Sequence, residues 1–517
     1  MNEWWRSAVL YEIYVRSFAD SNGDGVGDLL GIRARLPYLR ELGVDGIWLT
    51  PFFPSPGADH GYDVSDYVDV DPQFGTLADL DGVVADAHEL GLRVTIDVVP
   101  NHTSSEHPWF RNALADPAHP DRARYVFRPG RDGAPPNNWD SAFGGPTWTL
   151  DEPSGEYYLH LFAPAQPDLD WHNPQVQADF EEILRFWLDR GVDGFRIDVA
   201  HGLFKDRLLR DEREGAGVPR PGATGGFDRR RAIDQPELHP LYRRWRKLAD
   251  AYGDERVLVG EVVLRDQARV ARYVRPDELH LAFNFRLLWE PWEAEPLRAA
   301  IDGTLTALGR VGATPTWVLE NHDVMRLPSR YGGRERARAA ALLLLALPGT
   351  SFLYAGQELG LEEIELPDEL RQDPVFFRSG GARKGRDGCR IPMPWESEWP
   401  GFGFTDGSPW LPIPASWDAV SVATQAHDVT STLALYRAAL AARRESDALR
   451  HGSFAWGTSP RGSLVFARET AGEAVACTVN VATEQVALPE GELLLASDPS
   501  VTDWLPPNSA AWVRLPR

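Results

Sequence analysis

Apolar residues along the 517-residue chain fall into two alternating periods. Short runs rich in β-branched and aromatic residues recur at 9–18, 46–50, 92–99, 194–199, 257–263, 281–285, 316–319 and 351–354, and most end in polar residues. Between most of them lie stretches with three- and four-residue spacing, at 77–90, 176–190, 241–252 and 334–347. In the second of these, Phe180, Ile183, Leu184 and Trp187 make one apolar stripe, the mark of a helix that buries one face. Strands alternating with helices predict an α/β chain with a parallel sheet. Eight such strands suit a closed (β/α)8 TIM barrel better than an open sheet.

Two interruptions break the rhythm. About 70 residues separate the third strand from the next helix, many times an ordinary βα loop. This stretch, with Pro135, Pro136, Trp139, Phe143, Gly144, Gly145 and Trp148, is expected to form a small inserted domain over the barrel's C-terminal face. A second long stretch, 361–428, follows the eighth strand and reads as another active-site loop. From about 451 the helices stop and strand-like runs follow one another, which predicts a closing antiparallel β domain. The expected division is 1–102 with 174–450 for the barrel, 103–173 for the insertion and 451–517 for the last domain.

Composition narrows the function. With 53 Lys and Arg against 76 Asp and Glu, the formal charge is −23. That field repels phosphate backbones and anionic lipid, so neither nucleic acid nor membrane is an expected partner; a neutral or cationic small ligand suits it. Two cysteines exclude a disulfide framework and an all-cysteine zinc site and fit a reducing compartment. The first residues lack the basic and apolar regions of a signal peptide, and the longest apolar run, 339–348, is too short to cross a bilayer. A cytoplasmic enzyme, monomeric or homodimeric, is expected.

In a barrel of this type, functional side chains sit where strands end. Strand three ends in Asp97-Val-Val-Pro-Asn101-His102, strand four in Arg196-Ile-Asp198-Val-Ala-His201, strand five in Gly260-Glu261, and strand seven in Glu320-Asn321-His322-Asp323. Taken singly, each is as well read as a structural ion pair or a solvated loop histidine. Four at corresponding ends of separate strands argue for one shared site. Carboxylates with an arginine and no cysteine or serine nucleophile suit glycosidic cleavage, which needs one acid to protonate the leaving oxygen and one carboxylate to attack or to activate water. Glu261, in an apolar string, is the expected general acid, since such surroundings favour its protonated form. Asp198 shares a strand face with Arg196, which is expected to keep it ionised as a nucleophile. Asp323 is left to stabilise a cationic transition state. Metal-assisted hydrolysis competes, but its ligand patterns, such as paired histidines at helical spacing, are absent.

These strings resemble the α-amylase superfamily, glycoside hydrolase family thirteen, and within it the α-glucosidase and oligo-1,6-glucosidase branch. The likeness spreads over roughly the first 430 residues and rests on DVVPNH at 97–102, GFRIDVAH at 194–201, GEVV at 260–263, ENHD at 320–323 and QPDLDW at 166–171, where Asp170 replaces the branch's more usual Asn. It implies a retaining double displacement, with Asp198 as nucleophile, Glu261 as acid/base, Asp323 as stabiliser and Arg196 orienting Asp198. It also implies that His102 and His322 bind hydroxyls of the departing glucose, that Asp97 supports them, and that Tyr62 stacks beneath the sugar. Asp59 and Arg390, the latter in Arg-Ile-Pro-Met-Pro-Trp, match the pair that grips the terminal glucose, which favours release of single units. Phe143, Phe162 and Gln166 match residues lining the pocket from the insertion.

A metal loop is also legible. Asp20, Asn22, Asp24 and Asp28 place oxygen ligands at alternating positions, as hard cations prefer, although Gly31 stands where an EF-hand needs Glu. By resemblance the loop holds structural Ca²⁺, with Mg²⁺ as the alternative, and Val26 adds its carbonyl; without a metal it is a Gly/Asp-rich turn before a helix. Linkage preference is divided. Val199 after the nucleophile goes with α-1,6 specificity in this branch, whereas the longer string Asp198-Val-Ala-His201 is like α-1,4-acting enzymes, and the longer string is given more weight. Transglucosylases and sucrose or trehalose isomerases use the same residues. Non-enzymatic, transporter-associated relatives have lost the acids and carry a membrane helix, unlike this chain.

Overall fold

The computed structural model describes residues 3–213, 231–398 and 400–516. The first three strands, β1 (Val9–Ile13), β2 (Gly46–Leu49) and β3 (Arg93–Val98), lie side by side and parallel. A three-stranded antiparallel sheet follows: β4 (Phe127–Pro129), β5 (Trp148–Asp151) and β6 (Glu156–Leu159). The parallel sheet then resumes with β7 (Gly194–Ile197), β8 (Val257–Gly260), β9 (Leu281–Ala282), β10 (Thr316–Val318) and β11 (Thr350–Tyr354). Its order is β10-β11-β1-β2-β3-β7-β8-β9, and a parallel bridge from Asn284 to Trp317 joins the two ends into a barrel. This is the expected eight-stranded architecture.

Barrel strands are buried on both faces, which is why they read as nearly continuous apolar runs. Leu10, Trp48, Val257, Val259, Leu281, Phe283, Val318 and Phe352 fill the interior. The opposite face packs against helices such as Pro174–Asp189, where Val176, Phe180, Ile183, Leu184 and Trp187 are buried. That helix starts where the sequence dictates: the Asn173 side chain accepts the Gln175 N–H, and Pro174 occupies the first turn, where no donor is needed. Several strands stop earlier than their apolar runs. The first run turns into a 3-10 segment, Val15–Ser17, and the sixth has two strand residues before the short helix Arg286–Trp289. Apolarity there serves packing of the loop ends, not further ladder.

The insertion 103–173 is tied to the barrel rim by the bridge His102–Asp168 and by the Leu169 N–H, which donates to the Asn101 carbonyl at 3.0 Å. Behind them, Lys205 Nζ reaches Asp168 Oδ2 at 2.7 Å and Asn101 Oδ1 at 2.8 Å, a buried cation locking the insertion onto the end of β3. After 451 come β12 (Ser453–Trp456), β13 (Ser463–Glu469), β14 (Ala474–Asn480), β15 (Val486–Ala487), β16 (Glu492–Ala496), β17 (Trp504–Leu505) and β18 (Ser509–Arg514). Five of these form an antiparallel sheet ordered β12-β13-β14-β18-β16. It rests on the helix Arg334–Ala346: Trp512 Nε1 donates to the Leu342 carbonyl and Arg468 Nη1 to that of Ala346. Among the described residues no helix is long and apolar enough to cross a membrane.

Candidate active site

The strand ends converge. Asp97 lies on β3 and Arg196 on β7; Asp198 and Glu261 directly follow β7 and β8, and Asp323 lies in the loop after β10. They surround a cavity of about 470 Å³ whose lining includes Asp59, Tyr62, His102, Asp198, Glu261 and Asp323. Phe143 and Phe162 reach it from the insertion, edge to face at 5.4 Å.

Arg196 is the hub. Its Nη1 donates to Asp198 Oδ1 at 2.7 Å and to Asp97 Oδ1 at 2.8 Å, and Nη2 lies 3.1 Å from Glu261 Oε2. One guanidinium thus meets three carboxylates. Burial, with the charges of Glu261, Asp97 and Asp323, pushes the Asp198 carboxyl well above the usual range against the pull of Arg196. Burial first, and the neighbouring acids after it, thus work against the expectation that Arg196 keeps Asp198 ionised. Asp97 is pushed up by burial to about 6, against Arg196; Tyr62 Oη and Trp48 Nε1 both donate to its Oδ2.

Glu261 also differs from expectation. Its string Val257-Leu-Val-Gly lies in the strand, but the carboxylate emerges onto polar groups: besides Arg196, the Val199 N–H donates to Oε2 at 2.9 Å. To do so Val199 adopts φ +45°, a left-handed conformation that β-branched residues rarely take.

Asp59 is gripped, but not by Arg390. Arg386 Nη2 donates to Asp59 Oδ1 at 2.7 Å, Nη1 reaches Asp323 Oδ1 at 3.0 Å, and Nε reaches Asp373 Oδ2 at 2.7 Å. Arg390, four residues on and buried, instead donates through Nε to the His322 carbonyl and through Nη2 to Asp323 Oδ1, at 2.8 and 2.9 Å. The expectation that Arg390 grips the terminal glucose together with Asp59 finds no Arg390–Asp59 contact; the arginine that pairs with Asp59 and lines the cavity is Arg386. Both arginines belong to the string Arg386-Asp-Gly-Cys-Arg390, and the Pro and Trp of the motif follow only the downstream one. Asp373, which holds Arg386 from behind, carried no motif signal. Gln166 Nε2 donates to Asp59 Oδ2 at 3.1 Å. Burial pushes Asp59 up to about 6, with Arg386 and Arg390 opposing. Asp323 is also buried, yet His322, Arg386, Arg390 and Arg196 hold it well below the usual carboxylate range. Burial brings His102 down to about 3, and its Nε2 faces the Tyr62 carbonyl at 3.0 Å.

The loop before the first helix is wound by its own side chains. Asp20 accepts N–H groups of Asn22, Gly23 and Gly25, Asn22 that of Asp24, and Asp24 that of Val26. Asp28 caps the helix Leu29–Leu42 through the Gly31 N–H. Burial raises Asp20, but Thr405 and the backbone donors together bring it below its ordinary value. Among the described residues no group of three or more His, Cys, Asp or Glu is arranged to hold a metal ion. These residues fit a hard cation only as a mixed oxygen set, Asp20, Asn22 and Asp24 with the Val26 carbonyl, while Asp28 caps the helix.

A model of the alpha-amylase catalytic domain matches residues 12–452. The chain belongs to that family, glycoside hydrolase family thirteen. It is an enzyme of the hydrolase class, and relatives extend along most of its length. A probable alpha-glucosidase of Rhizobium meliloti (strain 1021) is 43% identical, with 93% of this chain and 90% of that protein covered. An oligo-1,6-glucosidase of Parageobacillus thermoglucosidasius is 36% identical, over 87% and 85%. Among solved structures, an alpha-glucosyl transfer enzyme, XgtA, superposes with TM-score 0.90 at 42% identity, covering 99% of this chain and 100% of that one. The trehalulose synthase MutB of Pseudomonas mesoacidophila MX-45 gives TM-score 0.89 at 32% identity, over 99% of each.

Proposed function

We propose that this family member is a retaining, exo-acting α-glucosidase that removes terminal non-reducing α-1,4-linked glucose from maltose and short malto-oligosaccharides. The observation that carries the reading is the pairing of a shared hub with a closed end. Arg196 fastens Asp198 and Glu261 to neighbouring nitrogens, which favours the short carboxyl spacing, roughly 5 Å, that a covalent route needs over the wider gap that admits a water. Asp59, Arg386 and Asp323, all in the cavity lining, are joined by direct ion pairs, which supports a closed end that a chain meets only by its tip.

In this mechanism Asp198 attacks the anomeric carbon as the bond to the leaving oxygen breaks and Glu261 gives that oxygen its proton. Water, deprotonated by Glu261, then attacks the glucosyl ester and releases Asp198. Each cycle needs one proton on the Asp198–Glu261 pair, placed on Glu261; bridging by Arg196 stabilises the anion on Asp198 as the sugar arrives. Asp323, anionic among three arginines and His322, faces the positive charge that develops on the ring. His102, Phe143, Phe162 and Gln166 would shape the site around the sugar.

Glucosyl transfer to a second sugar is the alternative. It is favoured by the likeness to a glucosyl-transfer enzyme and by the apolar part of the lining, Val199, Val263, Phe285, Val324 and Met325, which dewets the side where water must enter. The mixed oxygen loop is proposed to take Ca²⁺, or Mg²⁺, in a structural role remote from the reacting bond. A cytoplasmic setting belongs to the same proposal, supported by two buried, unpaired cysteines, Cys389 and Cys477.

A chromatographic time course with maltose, isomaltose, sucrose and trehalose offered separately tests it. Fastest release of α-glucose from maltose is expected. Faster isomaltose cleavage would make it an oligo-1,6-glucosidase with the acids unchanged, and a new disaccharide without free glucose would make it an isomerase.

A further inference from the structure

His322 lies flat between two tyrosine rings. Its centroid is 5.5 Å from that of Tyr14 and 5.4 Å from that of Tyr62, with interplanar angles of 16° and 12°. The ring Nδ1 meets Glu12 Oε1, and the same oxygen accepts the His322 backbone N–H at 3.3 Å. Glu12 sits on β1 and is wholly buried, on the strand face that carries Leu10 into the barrel interior. Its second oxygen, Oε2, has no hydrogen-bond partner. A carboxylate in such a place is costly unless a positive group answers it, and among the described residues the hydrogen bonds of its side chain go to His322 alone. On the far side of the ring, Nε2 is buried without a partner, 3.6 Å from Asp323 Oδ1.

Glu12 on one nitrogen and tyrosine faces above and below fix the plane of the ring and aim its other nitrogen at Asp323. The groups around the ring are Glu12 from β1, Tyr14 after it, Trp48 edge-on from β2, Tyr62 after β2, Asp97 from β3, Asp323 beside it, and Arg390 on its carbonyl.

We propose that Glu12 is a positioning residue: from inside the barrel it holds the His322 ring through Nδ1, so that Nε2 is kept aimed at Asp323 and at the sugar. The proposal rests on the glucosidase reading, because it assigns a purpose to Asp323.

The test pairs two measurements on the full chain. In ¹⁵N-histidine-labelled wild-type protein without substrate, His322, assigned by loss of its signal in a His322→Asn variant, should show a proton on Nδ1 held in the bond to Glu12. Glu12→Leu should lose that signature. With an aryl α-glucoside, Glu12→Leu should lose roughly 10²-fold in kcat with KM changed much less, and Glu12→Gln, which keeps an acceptor oxygen, should recover part of the loss. An Nδ1 without a proton in the wild type overturns the proposal, as does a Glu12→Leu kcat equal to that of the wild type. If the wild type turns over no α-glucoside, the glucosidase reading fails, while the NMR result still decides whether Glu12 orients His322.

Discussion

Arg386 spans from Asp59 Oδ1 to Asp323 Oδ1, at 2.7 and 3.0 Å, through the two terminal nitrogens of one guanidinium. The residue proposed to close the sugar end of the cavity therefore also touches the acid proposed to face the transition state. Arg386→Ala should raise KM for maltose by about 10²-fold and lower kcat as well, since it leaves Asp59 buried without its cation. Product analysis on maltotetraose should then show internal cleavage. An unchanged product pattern would remove the closed-end argument.

Asp198→Asn should abolish turnover, by at least about 10⁴-fold in kcat. The same change should stabilise the fold at neutral pH, because it removes one of three carboxylates competing for Arg196 while Asp97 and Glu261 still satisfy the guanidinium. A Tm rise of about 1–3 °C at pH 7.5 is expected by scanning calorimetry. A fall in Tm would mean that the third carboxylate stabilises the cluster.

Glu261→Gln separates substrates by leaving group. Maltose, whose departing oxygen needs a proton, should suffer about 10²-fold more than an aryl glucoside with a good leaving group. Equal losses on both would argue against the acid role.

Asp59 and Asp97 both sit near 6 when folded, against an ordinary 3.8, and burial is the main cause. A raised carboxyl keeps its proton longer in the folded chain, so between pH 3.8 and about 6 the folded state binds more protons than the unfolded. Their contribution to stability is full below that window and is lost as pH rises through it. Binding should run the other way: in the proposed function Asp59 accepts sugar hydroxyls, and it faces Arg386, best as an anion, so KM for maltose should climb as pH falls below about 6. Asp59→Asn should have a weak substrate affinity with little pH dependence over that range, which initial-rate kinetics from pH 4.5 to 8 would show.

Chelation should leave the chemistry intact. If Asp20, Asn22 and Asp24 hold Ca²⁺, EDTA should lower Tm by a few degrees, about 2–5 °C, with kcat at 25 °C unchanged and Tm restored by added Ca²⁺. A Tm insensitive to EDTA and to Ca²⁺ would leave the loop as a hydrogen-bonded turn.

Most of the barrel was legible because its physics is local. Period and strand-end chemistry located the eight strands and brought Asp97, Arg196, Asp198, Glu261 and Asp323 to one rim, where the structure indeed gathers them. What could not be read was partnership across long loops. Arg386 and Arg390 are four residues apart in an irregular stretch, and only the path of the chain decides which reaches Asp59. The environment of Glu261 misled for a related reason: an apolar string describes the neighbours of a strand in sequence, whereas its carboxylate meets Arg196 and the Val199 N–H from the adjacent strand. Glu12 was invisible for the opposite reason, lying in an apolar strand whose character hid the one polar side chain facing inward.

The left-handed backbone of Val199 turns its N–H toward Glu261, and the side chain of the same residue lines the cavity. Glycine would adopt that φ freely and would give up the side chain; a bulkier branched residue would resist the turn. The lining of the cavity at this point and the seating of Glu261 are therefore inherited through one position. A change of sugar preference at 199 carries with it a change in how firmly Glu261 is held, and a variant selected for a new linkage should be expected to arrive slower before it arrives selective.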